Sequence, residues 1–86
     1  MKEIRWNLLK SERLKRTRGV SFEEILQARL VAIQKHHKRK SQKVLLFEHE
    51  EYIWVVPFVE SEDEIFLKTL YPSRMYTRIY RRGELQ

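Results

Sequence analysis

The stretch "KVLLFEHEEYIWVVPFVESEDEIFLKTLY" (Lys43–Tyr71) decides the fold. It holds three runs rich in Val, Ile, Leu and aromatics: Lys43–His49, Tyr52–Glu60 and Ile65–Tyr71. Runs of this length and composition read as β-strands. The breaks between them, Glu50–Glu51 and Ser61–Glu64, are too short for anything but hairpin turns, so the strands should pair antiparallel in chain order. Pro57 has no N–H to donate to a ladder, which predicts an edge or a bulge at that point.

Working back towards the N-terminus, "HKRKSQK" (His37–Lys43) reads as a cationic loop and Leu30–Lys35 as a further strand. Before it, "VSFEEI" (Val20–Ile25) carries a capping box, Ser21 with Glu24, and a hydrophobic staple, Val20 with Ile25. A helix therefore starts at Phe22. An earlier helix runs from an Asn7 N-cap to Arg18, with Gly19 placed to end it, and Leu9 and Leu14 form its thin apolar stripe. "EIRW" (Glu3–Trp6) alternates polar and apolar residues and reads as a short first strand.

Beyond Tyr71 lies "PSRMYTRIYRRG" (Pro72–Gly83). Pro72 stops the strand, Ser73 can cap a last helix and Gly83 can end it. At about 100° per residue, Arg74, Arg78, Arg81 and Arg82 fall within one arc of roughly 100°, and Met75, Tyr76, Ile79 and Tyr80 fill the opposite, core-facing arc. The element order is β-α-α-β-β-β-β-α. That is an α+β fold: a small antiparallel sheet with two N-terminal helices and one C-terminal helix. At 86 residues a single domain, 1–86, is expected.

The composition narrows the partners. Hydrophobic residues make up 42% of the chain, too many for a disordered one. Without cysteine there are no disulfides or thiolate metal sites, and the three histidines match no zinc spacing, so no metal or other cofactor is expected. No apolar run is long enough to span a membrane, which reads as a cytoplasmic protein with no membrane partner. The net charge of +6 is unevenly placed: +9 over residues 1–43, −7 over 44–64 and +4 over 65–86. Such a basic body suits a polyanion. The acidic turns, Glu48–Glu51 and Glu60–Glu64, would repel RNA and should face away from it.

Several motifs occur in a specific order: "WN" (Trp6–Asn7), a basic helix, "RGVSFEE" (Arg18–Glu24), "YIWVVPFVE" (Tyr52–Glu60), "IFLKT" (Ile65–Thr69) and "PSRMYTRIY" (Pro72–Tyr80). In that order and spacing the chain resembles the BrnT-like toxins of bacterial type II toxin–antitoxin systems. The resemblance implies a compact RelE-like fold, metal-independent endoribonuclease activity on mRNA, including ribosome-bound mRNA, and a cognate antitoxin that neutralises the toxin.

Metal-free RNA cleavage needs a base for the 2′-hydroxyl, cations for the charge growing on phosphate and an acid for the 5′-oxygen. Arg74 and Arg78, one helical turn apart, are the first candidates, since a guanidinium can grip two phosphate oxygens. Lys68, on the last strand, adds a point charge. His36 is the acid/base candidate; the surrounding positive charge favours a neutral ring, which suits a base better than an acid. Tyr76 packs in the core or turns its ring to a base. Arg13, Arg16, Lys38, Arg39, Lys40, Arg81 and Arg82 are candidates for tracking the RNA backbone. The alternative is a non-catalytic nucleic-acid-binding or protein-interaction module of the same fold.

Overall fold

A computed structural model describes residues 2–36, 38–39 and 42–85 of the chain. Its elements are β1 (Glu3–Arg5), α1 (Leu8–Arg18), α2 (Phe22–Ile25), β2 (Arg29–Lys35), β3 (Lys43–His49), β4 (Tyr52–Glu60), β5 (Glu64–Leu67), β6 (Tyr71–Pro72) and α3 (Arg74–Arg81). The fold class is the α+β one expected. The strands lie in the order β1-β5-β4-β3-β2, with β6 beside β4. Every pair is antiparallel except β1 with β5, so the sheet is mixed.

Local chemistry sets the element ends. The Asn7 side chain accepts from the Lys10 N–H and Gly19 sits at φ 85°, so α1 begins and stops as its caps dictate. The Ser21/Glu24 box is closed in both directions, and Val20 and Ile25 are both buried. β3 and β4 pair from His49↔Tyr52 to Lys43↔Phe58, and Glu50 and Glu51 turn the chain at φ 53° and 64°.

The sheet is covered on both faces. Leu45, Phe47, Trp54, Val56, Phe58 and Leu67 meet Leu14, Phe22 and Ile25 of α1 and α2 on one side. Val44, Leu46, Ile53 and Val55 meet Tyr76 and Tyr80 of α3 on the other. β3 and β4 therefore read as near-continuous apolar runs because both of their faces are buried.

Three local expectations change. The run Ile65–Tyr71 is not one strand. Leu67 pairs with Phe58 and Tyr71 with Val55, so three residues (68–70) stand opposite two (56–57). This one-residue shift falls at Pro57, whose carbonyl accepts from the Lys68 N–H at 2.8 Å. A residue's N and O point to the same side of a strand, so the missing N–H of Pro57 falls where the ladder is already broken. Leu9 is not part of a buried stripe but 75% exposed; Ser11 and Leu14 are the buried residues of α1. On α3, Met75 is 48% exposed and Thr77 takes the inward place, at 2%. Thr77 Oγ1 accepts the buried Ile53 N–H at 2.8 Å and donates to the Ser73 carbonyl at 2.7 Å. That demand, rather than hydrophobicity, turns the helix.

Candidate nucleic-acid interface

The break at residues 68–70 opens a cleft. Leu70 is fully buried and plugs the bulge into the core, which leaves Lys68 and Thr69 at the surface. The cleft measures about 380 Å³ and lies between this segment, the β2–β3 connection and the first turn of α1. Among the described residues, Lys10, Lys38, Arg39 and Lys68 give it four cations, His36 and Tyr71 line it with them, and none that lines it is a carboxylate.

The β2–β3 connection is held by its own polar groups. The His36 N–H donates to the Gln42 carbonyl at 2.8 Å, and the Gln42 N–H to that of Arg39 at 2.9 Å. His36 Nδ1 accepts the N–H groups of Lys38 and Arg39, both at 3.1 Å. A ring nitrogen that accepts carries no proton, so neutral His36 holds its hydrogen on Nε2. In this state the ring's one lone pair is already taken up by those two N–H groups, so it is not the lone pair that a base needs.

On the facing wall, Lys68 Nζ lies 6.0 Å from the centre of the Phe66 ring. This is the outer limit of a cation–π contact, a weak tether on an exposed lysine. Tyr71 is half-buried. Burial first, then the neighbouring Tyr76 phenol, raise its hydroxyl above the ordinary phenol range, with Arg18 acting against them. Arg18, in the last turn of α1, donates to the Leu70 carbonyl and so ties that helix to the bulge.

The arginines of α3 form a second cluster. Arg74, Arg78, Arg81 and Arg82 line a recess of about 270 Å³ with Tyr52 and Thr77. Tyr52 borders this recess and Pro57 the cleft, five residues apart on β4, which is on the order of 16 Å along a strand. The residues expected to form one site therefore divide: His36, Lys68, Lys38 and Arg39 at one end of β4, and Arg74, Arg78, Arg81 and Arg82 at the other. Lys68 stands in the bulge, not on a strand. Tyr76 is half-buried and packs against the second core cluster behind Tyr71. Arg13 and Arg16 are exposed on α1 and line neither site. Lys40 lies outside the described residues.

Lys10 and Tyr71 were not anticipated as site residues. Both are placed by tertiary packing, and only the Asn7 cap, which fixes Lys10 in the first turn, left a local trace. At the Glu50–Glu51 turn, Arg81 Nη2 donates to the backbone carbonyl of Glu51 at 3.2 Å, and just before it the Tyr80 hydroxyl donates to the Glu48 carboxylate at 3.0 Å. Glu60, by contrast, is paired with Lys2 and Lys43.

No family model and no curated relative matches this chain. Among solved structures, it is similar to the 1.1 Å crystal structure of the Brucella abortus ribonuclease toxin BrnT. The TM-score is 0.55 and the identity 15%, over 85% of this chain and 97% of that one. The resemblance read from the motif order thus holds at the level of the fold, which is BrnT-like.

Proposed function

We propose that this chain is the toxin of a type II toxin–antitoxin pair and a metal-independent endoribonuclease. The reading rests on one observation: a cleft lined, among the described residues, by four cations, His36 and Tyr71, without a carboxylate, on a fold that a ribonuclease toxin also has. RNA lies with a phosphate among Lys10, Lys38, Arg39 and Lys68. Their charge stabilises the phosphorane-like transition state and lowers the proton affinity of the adjacent 2′-hydroxyl. The 2′-oxygen loses its proton to solvent and attacks phosphorus. The bond to the 5′-oxygen breaks, leaving a 2′,3′-cyclic phosphate. Tyr71, kept protonated by its burial, passes its proton to the departing oxygen and regains one from water. His36, through Nδ1, fixes the Lys38 and Arg39 backbone beside the phosphate without changing its own protonation. Arg74 and Arg78 bind the strand further along as charge-assisted phosphate contacts.

The test is a defined RNA incubated with the protein in EDTA, with the product ends identified. Cyclic phosphate ends are expected from wild type. Lys10→Ala with Lys68→Ala should lower the rate by about a hundredfold or more, the cost of losing donors to a developing oxyanion. Arg74→Ala with Arg78→Ala should raise KM more than it lowers kcat. Salt-sensitive binding without cleavage would instead mark a binding module, and absence of binding a protein-interaction domain. Induction should arrest growth, and co-expression of the neighbouring antitoxin gene should relieve the arrest.

A further inference from the structure

We propose that the open edge of β1 is an interface through which two copies of this chain associate, joining their sheets across a twofold axis. β1 ends the sheet on one side and pairs only with β5. The Glu3 N–H donates to the Asp63 carbonyl at 3.0 Å. Backbone groups alternate in direction along a strand, so Glu3 and Arg5 turn theirs towards β5 and Ile4 turns both of its own to the open edge. An antiparallel pair centred on Ile4 opposite Ile4 of a second copy would exchange two N–H···O bonds there.

That register is also the one the charges favour. It sets Glu3 opposite Arg5 of the second copy, and Arg5 opposite its Glu3, at cross-strand distance. Within one chain these two side chains meet only at 3.8 Å and stay 76% and 61% exposed, so both are available to exchange partners. Beside them, Ile4 and Leu8 are 45% and 67% exposed and border an open groove of about 440 Å³. Ile4 lies on the face of α1, next to Leu8, so a twofold would bring the two Ile4/Leu8 pairs together. An unpaired edge of this kind is normally blunted. The opposite edge is: β2 has a bulge between Leu30 and Ala32 and a cation at each end, Arg29 and Lys35, which would repel in a self-pair. β1 is short, but its end residues, Glu3 and Arg5, are of opposite sign and attract rather than repel in a self-pair. Its three residues make a small interface, so the dimer should be weak and depend on concentration.

Sedimentation equilibrium over a wide concentration range tests this independently of any RNA activity. The mass should rise from the 10.6 kDa of the monomer towards twice that value. Glu3→Arg alone and Arg5→Glu alone each turn both cross-strand pairs repulsive and should weaken the dimer about tenfold. The double variant Glu3→Arg/Arg5→Glu restores the complementarity in reverse and should recover the wild-type constant. Ile4→Pro removes the donor at the axis without touching the β5 ladder and should abolish association, with circular dichroism showing that the monomer keeps its fold. A monomer at every concentration overturns the proposal, whatever else the edge then binds. So does a dimer that the charge reversals leave unchanged, since it would use another surface.

Discussion

Replacing Thr77 by Val isolates one hydroxyl that fastens α3 to the sheet. The side chain is 2% exposed, and Val fills nearly the same space. What is lost is the acceptor for the Ile53 N–H and the donor to the Ser73 carbonyl. Ile53 is fully buried, so water cannot replace that acceptor without opening the helix–sheet contact. An unsatisfied buried N–H costs about 1–3 kcal/mol, and about 2 kcal/mol is the expected loss. Thr77→Ser keeps the hydroxyl and sheds a methyl group, for about 0.8 kcal/mol. Urea unfolding should show the midpoint falling in the order wild type, Ser, Val with an unchanged slope. For a chain of this size the Val variant should melt roughly 10 °C lower. If Val costs less than Ser, or less than about 0.5 kcal/mol, the hydroxyl is not what turns α3, and its inward arc is set by apolar contact alone.

Three further outcomes can be measured. Glu51 sits at φ 64° in the β3–β4 turn, where only Gly is free of a Cβ penalty, so Glu51→Gly should raise stability by about 1 kcal/mol in a thermal melt; a loss would show that the turn is relaxed as it stands. Glu23, Glu24 and Glu60 are held below the usual carboxylate value of 4.5, first by hydrogen bonds from Ser11, Lys15 and Lys2 respectively. Depressed carboxylates stabilise the fold above their unfolded pKa and lose that contribution as pH falls through the folded value. Glu23→Gln should therefore be less stable at neutral pH, with the gap closing below about pH 4.5; a gap constant down to acid pH would contradict the linkage. Finally, replacing Lys10 and Lys68 with Met should flatten the slope of log affinity against log salt by about 1.4, near 0.7 for each phosphate contact to a single strand, and an unchanged slope would remove both lysines from the interface.

Much of the fold was legible because it is set locally. Asn7, Ser21, Glu24, Ser73 and Gly19 act on backbone groups within a few residues, and the Glu50–Glu51 turn joins strands that touch it directly. The bulge was legible only in half. Pro57 announces that some ladder must break, but the break appears in residues 68–70, over ten positions later, where nothing in "KTL" marks it. Thr77 was missed for a related reason. A wheel ranks side chains by hydrophobicity, whereas the deciding demand came from an N–H on β4. The cleft was the least legible part. Its cations come from α1, the β2–β3 connection and the bulge, and only the tertiary fold brings these three together.

Under the proposed function, the division of the cations into two clusters separates a place where RNA would react from one where it would only be held. Among the described residues, none that lines the cleft is acidic, so a phosphate placed there meets no carboxylate in its walls. The arginine recess borders the Glu50–Glu51 turn, through Tyr52 and the bond from Arg81 to the Glu51 carbonyl. Those two carboxylates oppose phosphate binding at this end of β4 while leaving the cleft, on the order of 16 Å away, largely screened from them. Neutralising them therefore separates holding from cleavage. In the double variant Glu50→Gln/Glu51→Gln, each lost repulsion across exposed surface is worth about 0.5 kcal/mol, which together tighten RNA binding about fivefold. The rate at which bound RNA is cut should not change. Fluorescence anisotropy and single-turnover cleavage, both at about 0.15 M salt so that the screening holds, read the two quantities separately. Unchanged affinity would mean that the strand never crosses the recess, so that Arg74 and Arg78 do not hold RNA. A changed cleavage rate would mean that the recess itself belongs to the reacting centre.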